Sequence, residues 1–258
     1  MTEMNIVEAI NSAFHSEMQK DKDVVLIGED VGNDGGVFRA TQGLLEKFGG
    51  KRVIDTPLSE AGIVGTAFGM AIYGLKPVAE IQFDGFIYPA FNQIINHVAR
   101  IRNRSRGKYH CQMVIRAPYS GGIHAPEHHS ESMEALYIHM PGIKVVIPST
   151  PYDAKGLLIA SIRDPDPVMF LEPKKIYRAF KQEVPEESYE IPLEKAKVEV
   201  EGSDATVVSW GSMMAQCRTA VAEMQKKGKN IELVDLRSLS PIDETTIVNS
   251  VKKTGRLV

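Results

Sequence analysis

The sequence predicts an α/β fold built on a parallel sheet with helices on both faces. Three observations carry this: short β-branched runs alternate with longer helical patterns as far as Leu171, the chain then turns charged and proline-bearing between Glu172 and Ser203, and a second βαβ pattern follows. Such alternation favours parallel strands, because a helix crosses over between each strand and the next.

Val24–Gly28, Lys76–Gln82, Gln112–Arg116, Lys144–Ile147 and Val168–Leu171 read as strands from their β-branched and apolar content. Helices are expected at residues 5–20, 59–74, 86–105, 130–139 and 151–163. Residues 1–185 are thus expected to form the first domain, 186–203 a linker and 204–258 a second, partial domain. In that last part Ala205–Trp210 and Ile231–Val234 read as strands, 212–227 and 243–253 as helices, and a further strand opens at Arg256–Val258. One crossover and an unfinished strand make a thin domain, so the sequence reads as a piece of a longer natural chain.

A chain of 258 residues with 43% apolar content can bury a proper core. Its 30 basic and 33 acidic residues leave a net charge of only −3, which gives no global electrostatic reason to bind nucleic acid or a membrane surface. Cys111 and Cys217 stand alone, without metal-binding or disulfide spacing, so a reducing, cytoplasmic setting is expected. The N-terminus lacks the apolar core of a signal peptide, and the stretch Ala61–Leu75 is too short and glycine-rich for a membrane span.

Glu60 is the only charged residue between Thr56 and Leu75, and Pro57 with Ser59 before it marks a turn and a helix start. Taken alone, an acidic residue there is most often structural, since it meets the positive end of the helix dipole. The helix behind it changes the balance: Gly62, Gly65, Gly69 and Gly74 leave so little bulk that another backbone or a flat ligand can approach closely. Such a carboxyl suits proton exchange with a ring nitrogen.

A second candidate is the loop from Ala117 to Ser130, which holds His124, His128 and His129 where a strand ends. Ligands gather outside the carboxyl ends of strands in open α/β sheets, and an imidazole beside a helix start can donate to a developing oxyanion. Two prolines and two glycines place these histidines, with Glu127 and Glu131, on a loop, which counts against the helical arrangement of a zinc site. Arg100, Arg102, Arg104, Arg106 and Lys108 read as a solvated helix end or a subunit contact, and the Gly28–Gly36 stretch lacks the spacing of a phosphate loop.

Gly28-Glu-Asp-Val, Thr56-Pro-Leu-Ser-Glu60, Glu80-Ile-Gln-Phe, Pro89-Ala-Phe-Asn-Gln-Ile-Ile-Asn96, His129-Ser130 and Pro141-Gly-Ile-Lys-Val-Val-Ile-Pro148 occur in an order that resembles the beta subunit of thiamin-diphosphate-dependent 2-oxo acid dehydrogenases. The resemblance spans essentially the whole chain. It implies a pyrimidine-binding domain followed by a shortened transketolase C-terminal-like domain. It also implies that Glu60 bonds N1′ of the cofactor's aminopyrimidine and promotes the imino tautomer that removes the thiazolium C2 proton. Phe86 matches the aromatic packed on the pyrimidine, and Leu58 and Gln82 match flanking contacts. His129 matches the histidine facing the reacting carbon, with His124 and His128 in supporting places. A potassium ion on the loop of Ser161, Ile162, Asp164 and Asp166 is implied as well, although Asp166 stands where relatives often have asparagine.

The chain has no Gly-Asp-Gly segment with asparagines some thirty residues on, the motif with which relatives hold diphosphate and Mg²⁺ on the alpha subunit. The resemblance therefore implies an α2β2 heterotetramer with the cofactor at the α/β interface. The implied reaction is decarboxylation of a 2-oxo acid with acyl transfer to the lipoyl group of a dihydrolipoamide acyltransferase. The segment Phe170–Arg178 looks slightly closer to the branched-chain type, with pyruvate and acetoin left open. The absent diphosphate motif argues against a self-sufficient transketolase or deoxyxylulose-phosphate-synthase type, and Glu60, Phe86 and His129 together argue against a non-catalytic scaffold subunit.

Overall fold

The computed structural model describes residues 1–125 and 127–258; Pro126, inside the expected histidine loop, lies outside the described residues. Strand β1 (Thr2–Met4) leads into helix α1 (Ile6–Lys20). Asn5 starts that helix by a reciprocal cap: its side chain accepts from the Glu8 N–H at 3.0 Å, and the Glu8 carboxylate accepts from the Asn5 N–H at 2.8 Å. Strand β2 (Val24–Gly28), α2 (Leu44–Phe48), β3 (Val53–Asp55), α3 (Glu60–Ile72) and β4 (Lys76–Glu80) follow.

A 3₁₀ segment (Asp84–Ala90), the short turn α4 (Phe91–Gln93), a π-helical stretch (Ile94–Val98) and α5 (Ile101–Arg104) stand where one helix over 86–105 was expected. Pro89 sits inside the 3₁₀ segment, where it offers no N–H to an α-helical ladder. After β5 (Val114–Tyr119), helix α6 covers only Glu134–Ile138 of the expected 130–139, and its cap residue Met133 supplies no side-chain hydrogen bond. Strand β6 (Lys144–Val146), α7 (Pro151–Arg163) and β7 (Val168–Pro173) complete the expected pattern.

Beyond a 3₁₀ turn at Lys174–Ile176, β8 (Gln182–Val184) pairs antiparallel with β1. Strand β9 (Lys197–Val200) falls within the stretch expected as linker and pairs with β11. Strand β10 (Ala205–Ser209), α8 (Met213–Lys226), β11 (Ile231–Asp235), β12 (Ser238–Ser240) and α9 (Glu244–Thr254) close the chain. The expected strand at Arg256–Val258 is a single parallel bridge, Thr206 to Leu257, with Thr206 N–H donating to the Arg256 carbonyl at 2.8 Å.

The main sheet has the order β12-β6-β7-β5-β4-β2-β3 and is parallel throughout except for β12, which runs antiparallel to β6. Successive side chains of a strand face opposite ways, and both faces are buried. Leu26, Val114, Val168 and Phe170 pack with α1 and α7, while Ile27, Ile115, Met169 and Leu171 pack with α3 and the 84–98 segment. A smaller sheet, β10-β11-β9, packs with α8.

A polar cluster at the centre of the main sheet interrupts this apolar interior. Arg116 on β5 holds Glu172 on β7 through two bonds of 2.6 Å and pairs with Glu80 on β4, while the Tyr177 hydroxyl donates to Glu172 at 2.5 Å. The cluster is fully buried, so its charges stand on each other. Burial pushes the Glu80 carboxyl up to about 7; Arg116 opposes this, and the charges of Glu172 and Asp30 add to it.

Removing one partner of a buried ion pair leaves an uncompensated charge, so Arg116→Met is expected to cost about 3–5 kcal/mol in urea unfolding; a loss below about 1 kcal/mol would contradict the assignment. Because its folded-state value is raised, protonated Glu80 favours the folded chain most below its ordinary value near 4.5, and that contribution is lost as pH rises through about 7. Glu80→Gln should therefore flatten the decline of the unfolding midpoint between these two values. Asp84 and Asp235, both pushed up to about 6 by burial, act in the same direction over a lower window.

Candidate functional site

The carboxyl ends of β2, β3, β4 and β5 point the same way, so the segments leaving them gather at one end of the sheet. The segment after β3 delivers Glu60. Ser59 caps α3, its hydroxyl accepting from the Gly62 N–H at 3.4 Å, which makes Glu60 the first helical residue. Its side chain is buried, 8% exposed, and makes no hydrogen bond or ion pair among the described residues. It lines a cleft of about 370 Å³ with Gly85, Phe86, Tyr88, Pro89 and His128. Along the same helix, a side chain at Gly65 or Gly69 would meet open space, and the flanking Leu58 and Tyr73 are 74% and 95% exposed.

The segment after β4 delivers Gln82 and Phe86. Gln82 donates to Asp30, beyond β2, at 2.8 Å. Phe86 stands edge-on to Phe83 and to His129, with ring centroids 5.5 and 5.1 Å apart. Sequence reasoning named neither Asp30 nor Glu29 as part of the site, although both directly follow a strand end. Burial and the charges of Asp30 and Glu60 hold the Glu29 carboxyl above its ordinary value. Within that loop the N–H groups of Gly32 and Asn33 donate to the Asp55 carboxylate at 2.5 and 3.1 Å, so an internal carboxylate occupies these main-chain donors.

The segment after β5 carries the histidines. His129 Nδ1 lies 2.5 Å from the carbonyl oxygen of Glu127; a carbonyl can only accept, so Nδ1 carries the proton and Nε2 is left for another partner. His128 is on the cleft wall, with Nε2 3.9 Å from Glu127 and Nδ1 4.0 Å from Glu131. Glu131 also accepts from the Tyr88 hydroxyl at 2.5 Å. His124 does not line the cleft. Among the described residues no three His, Cys, Asp or Glu side chains form a metal-binding group, here or elsewhere. Nothing in the local sequence marks Tyr88 or Gly85, because their place depends on the 3₁₀ turn that replaces the expected helix.

Ser161, Ile162, Asp164 and Asp166 are not brought to this cleft. They lie where α7 returns to the start of β7, at the opposite end of the sheet. Asp164 pairs with Lys144 at 2.7 Å, Asp166 with Arg102 at 2.5 Å, the Ile162 carbonyl accepts from Gln112 at 2.9 Å, and the Ser161 hydroxyl donates to its own helix at Leu157. A larger hollow of about 600 Å³ adjoins that loop, but its Arg102 and Asp166 are spent on each other. No helix among the described residues is long and apolar enough to cross a membrane.

Residues 2–179 match the family described as transketolase, pyrimidine binding domain, and residues 194–258 match transketolase, C-terminal domain. The pyruvate dehydrogenase E1 component subunit beta of Acholeplasma laidlawii is 58% identical over 258 residues, covering 100% of this chain and 79% of that one. Its counterpart from Bacillus subtilis (strain 168) is 52% identical with the same coverage. That of Mycoplasma genitalium is 52% identical over 256 residues, 99% of this chain and 78% of the relative. Among solved structures, a split gene transketolase, inactive beta4 tetramer, superposes with a TM-score of 0.81 at 22% identity over 99% of this chain and 79% of that one, which is a likeness of fold. With such identities running the length of the chain and a carboxylate, an aromatic ring and an imidazole gathered at the sheet's carboxyl end, this chain belongs to the transketolase pyrimidine-binding family as a beta subunit of the thiamin-diphosphate-dependent 2-oxo acid dehydrogenases.

Proposed function

We propose that this chain supplies the pyrimidine side of a shared active site and works only with an alpha subunit, in an α2β2 heterotetramer. The observation that supports this most is Glu60: it stands at the head of α3 on the cleft wall, mostly buried as a residue, with a carboxylate that makes no hydrogen bond or ion pair among the described residues and is free to meet a partner supplied on binding. Thiamin diphosphate, when bound, would supply the carbanion chemistry that releases CO₂ from a 2-oxo acid. The residues present fit it. Glu60 would hold a proton at N1′ of the aminopyrimidine, Phe86 would cover a ring face, and Leu58 and Gln82 would flank it. His129, with Nδ1 committed to Glu127, has Nε2 free to meet the substrate.

The exposed Leu58 and Tyr73 beside a bare glycine face support a partner chain on this side. In this reading Mg²⁺ and the diphosphate belong to the alpha subunit, because this chain lacks the Gly-Asp-Gly segment with following asparagines that the resemblance assigns to that task. A potassium ion at the 161–166 loop would meet carboxylates already paired with Lys144 and Arg102, so that loop's side chains do not fit it as ligands and no step runs through it. Acyl transfer to a lipoyl-bearing acyltransferase, in the cytoplasm, completes the proposal.

Pyruvate is the substrate we favour, since the relatives named above are pyruvate dehydrogenase subunits. The branched-chain expectation rested on Phe170–Arg178, but Phe170, Leu171 and Glu172 lie wholly inside the sheet, where they report on core packing. Co-expression with a candidate alpha subunit, followed by artificial-acceptor reduction across a panel of 2-oxo acids, tests this: pyruvate should give the highest kcat/KM, and a branched-chain acid in first place would overturn the substrate assignment. Loss of a general acid or base typically slows a reaction about 10²–10⁴-fold, and Glu60→Gln should fall in that range; a fully active variant would end its proton role.

A further inference from the structure

One buried ion pair lies just outside the cleft and takes no part in the chemistry above. Asp84 and Lys174 face each other at 3.1 Å with both side chains wholly buried. Asp84 opens the 3₁₀ segment that carries Gly85 and Phe86, and its cap residue Phe83 contributes no side-chain hydrogen bond. Lys174 is the first residue past β7. The second oxygen of Asp84 accepts from the N–H of Ser120, the first residue past β5, at 3.1 Å. One carboxylate therefore ties together the chain leaving three neighbouring strands.

The tie reaches the histidine loop through a close approach. A Cβ at Gly85 would lie 2.5 Å from the Cα and carbonyl oxygen of His128, so the 3₁₀ segment and the loop cannot shift independently. The exit of that loop is held by the same Ser120 N–H, which also donates to the Glu131 carbonyl at 2.7 Å. Burial pushes the Asp84 carboxyl up to about 6 even against Lys174, so its ionised form depends on these partners.

We propose that the Asp84–Lys174 pair is a positioning device: it fixes Phe86, and through Gly85 the His128–His129 stretch, relative to Glu60. Neither residue lines the cleft, so both are positioning residues. The effect on cofactor affinity rests on the cofactor reading above; the hold on the segment does not.

The test uses the complex with the alpha subunit and compares Asp84→Asn, Lys174→Met and the double variant, which removes both charges but keeps an amide oxygen for the Ser120 N–H. Two quantities are read: amide hydrogen exchange over 84–90 and 127–131 in the cofactor-free complex, and the Kd of thiamin diphosphate by calorimetry. Each single variant should quicken exchange in those stretches and raise Kd by about tenfold or more, with α1 and α7 unchanged. The double variant leaves no uncompensated charge but still lacks the tie, so its exchange should stay quickened and its Kd raised by a comparable factor. Unchanged exchange in the single variants overturns the proposal, as does quickened exchange with unaltered Kd, which would mean a structural role alone. A double variant that recovers both readings overturns it too, because the single variants would then have reported only a stranded charge. If Lys174→Met does not fold, the near-isosteric Asp84→Asn against the double variant decides. Should the unsubstituted complex bind no thiamin diphosphate, the cofactor reading falls, and the exchange comparison alone decides whether the pair holds the segment.

Discussion

A single guanidinium organises the middle of this molecule. Arg116 lies on β5 between Glu80 of β4 and Glu172 of β7, so three central strands are bound by charge near their carboxyl ends as well as by their ladders. A parallel sheet buried on both faces has no water to solvate those groups, and their mutual pairing is what makes the arrangement tolerable. One step further along the same strands, Asp84, Ser120 and Lys174 repeat the device among the loops. The two tiers together form a charge-paired floor beneath the site.

On that floor the placement of Glu60 acquires meaning. A helix that begins at the carboxyl end of a short strand presents its first residue to the crevice where ligands of open α/β sheets gather. Its carboxylate lines the cleft beside Phe86 and Tyr88 and finds no partner among the described residues, and the glycine face behind it stays bare. In the proposed reading both surfaces are completed by another molecule. In that reading this chain governs a proton and a ring face while charge on the phosphate side is handled by an alpha subunit.

Much of this was legible in the sequence. The β-branched runs at 24–28 and 168–171 and the capped helices at 5–20 and 151–163 announce themselves because local preference and burial agree there. Glu60 stood out as a lone charge in an apolar, glycine-rich run. Elements decided by tertiary context were harder to see. The three-residue strand Val53–Asp55 is too short to show a period, and β12 leaves the C-terminal segment to join the main sheet as an antiparallel edge. The stretch 84–98 carries a helical pattern but breaks at Pro89 into 3₁₀ and π turns, and that break is what aims Phe86 and Tyr88 at the cleft. Asp84 and Lys174, 90 residues apart, give no local sign of their pairing.

In the proposed reading the active site is only half present in this polypeptide. Titration of thiamin diphosphate with Mg²⁺ into the isolated chain and into its complex with an alpha subunit tests it most directly. Saturable binding by the complex, with none or only weak binding by the chain alone, is the predicted result. Equally tight, Mg²⁺-dependent binding by the isolated chain would contradict it.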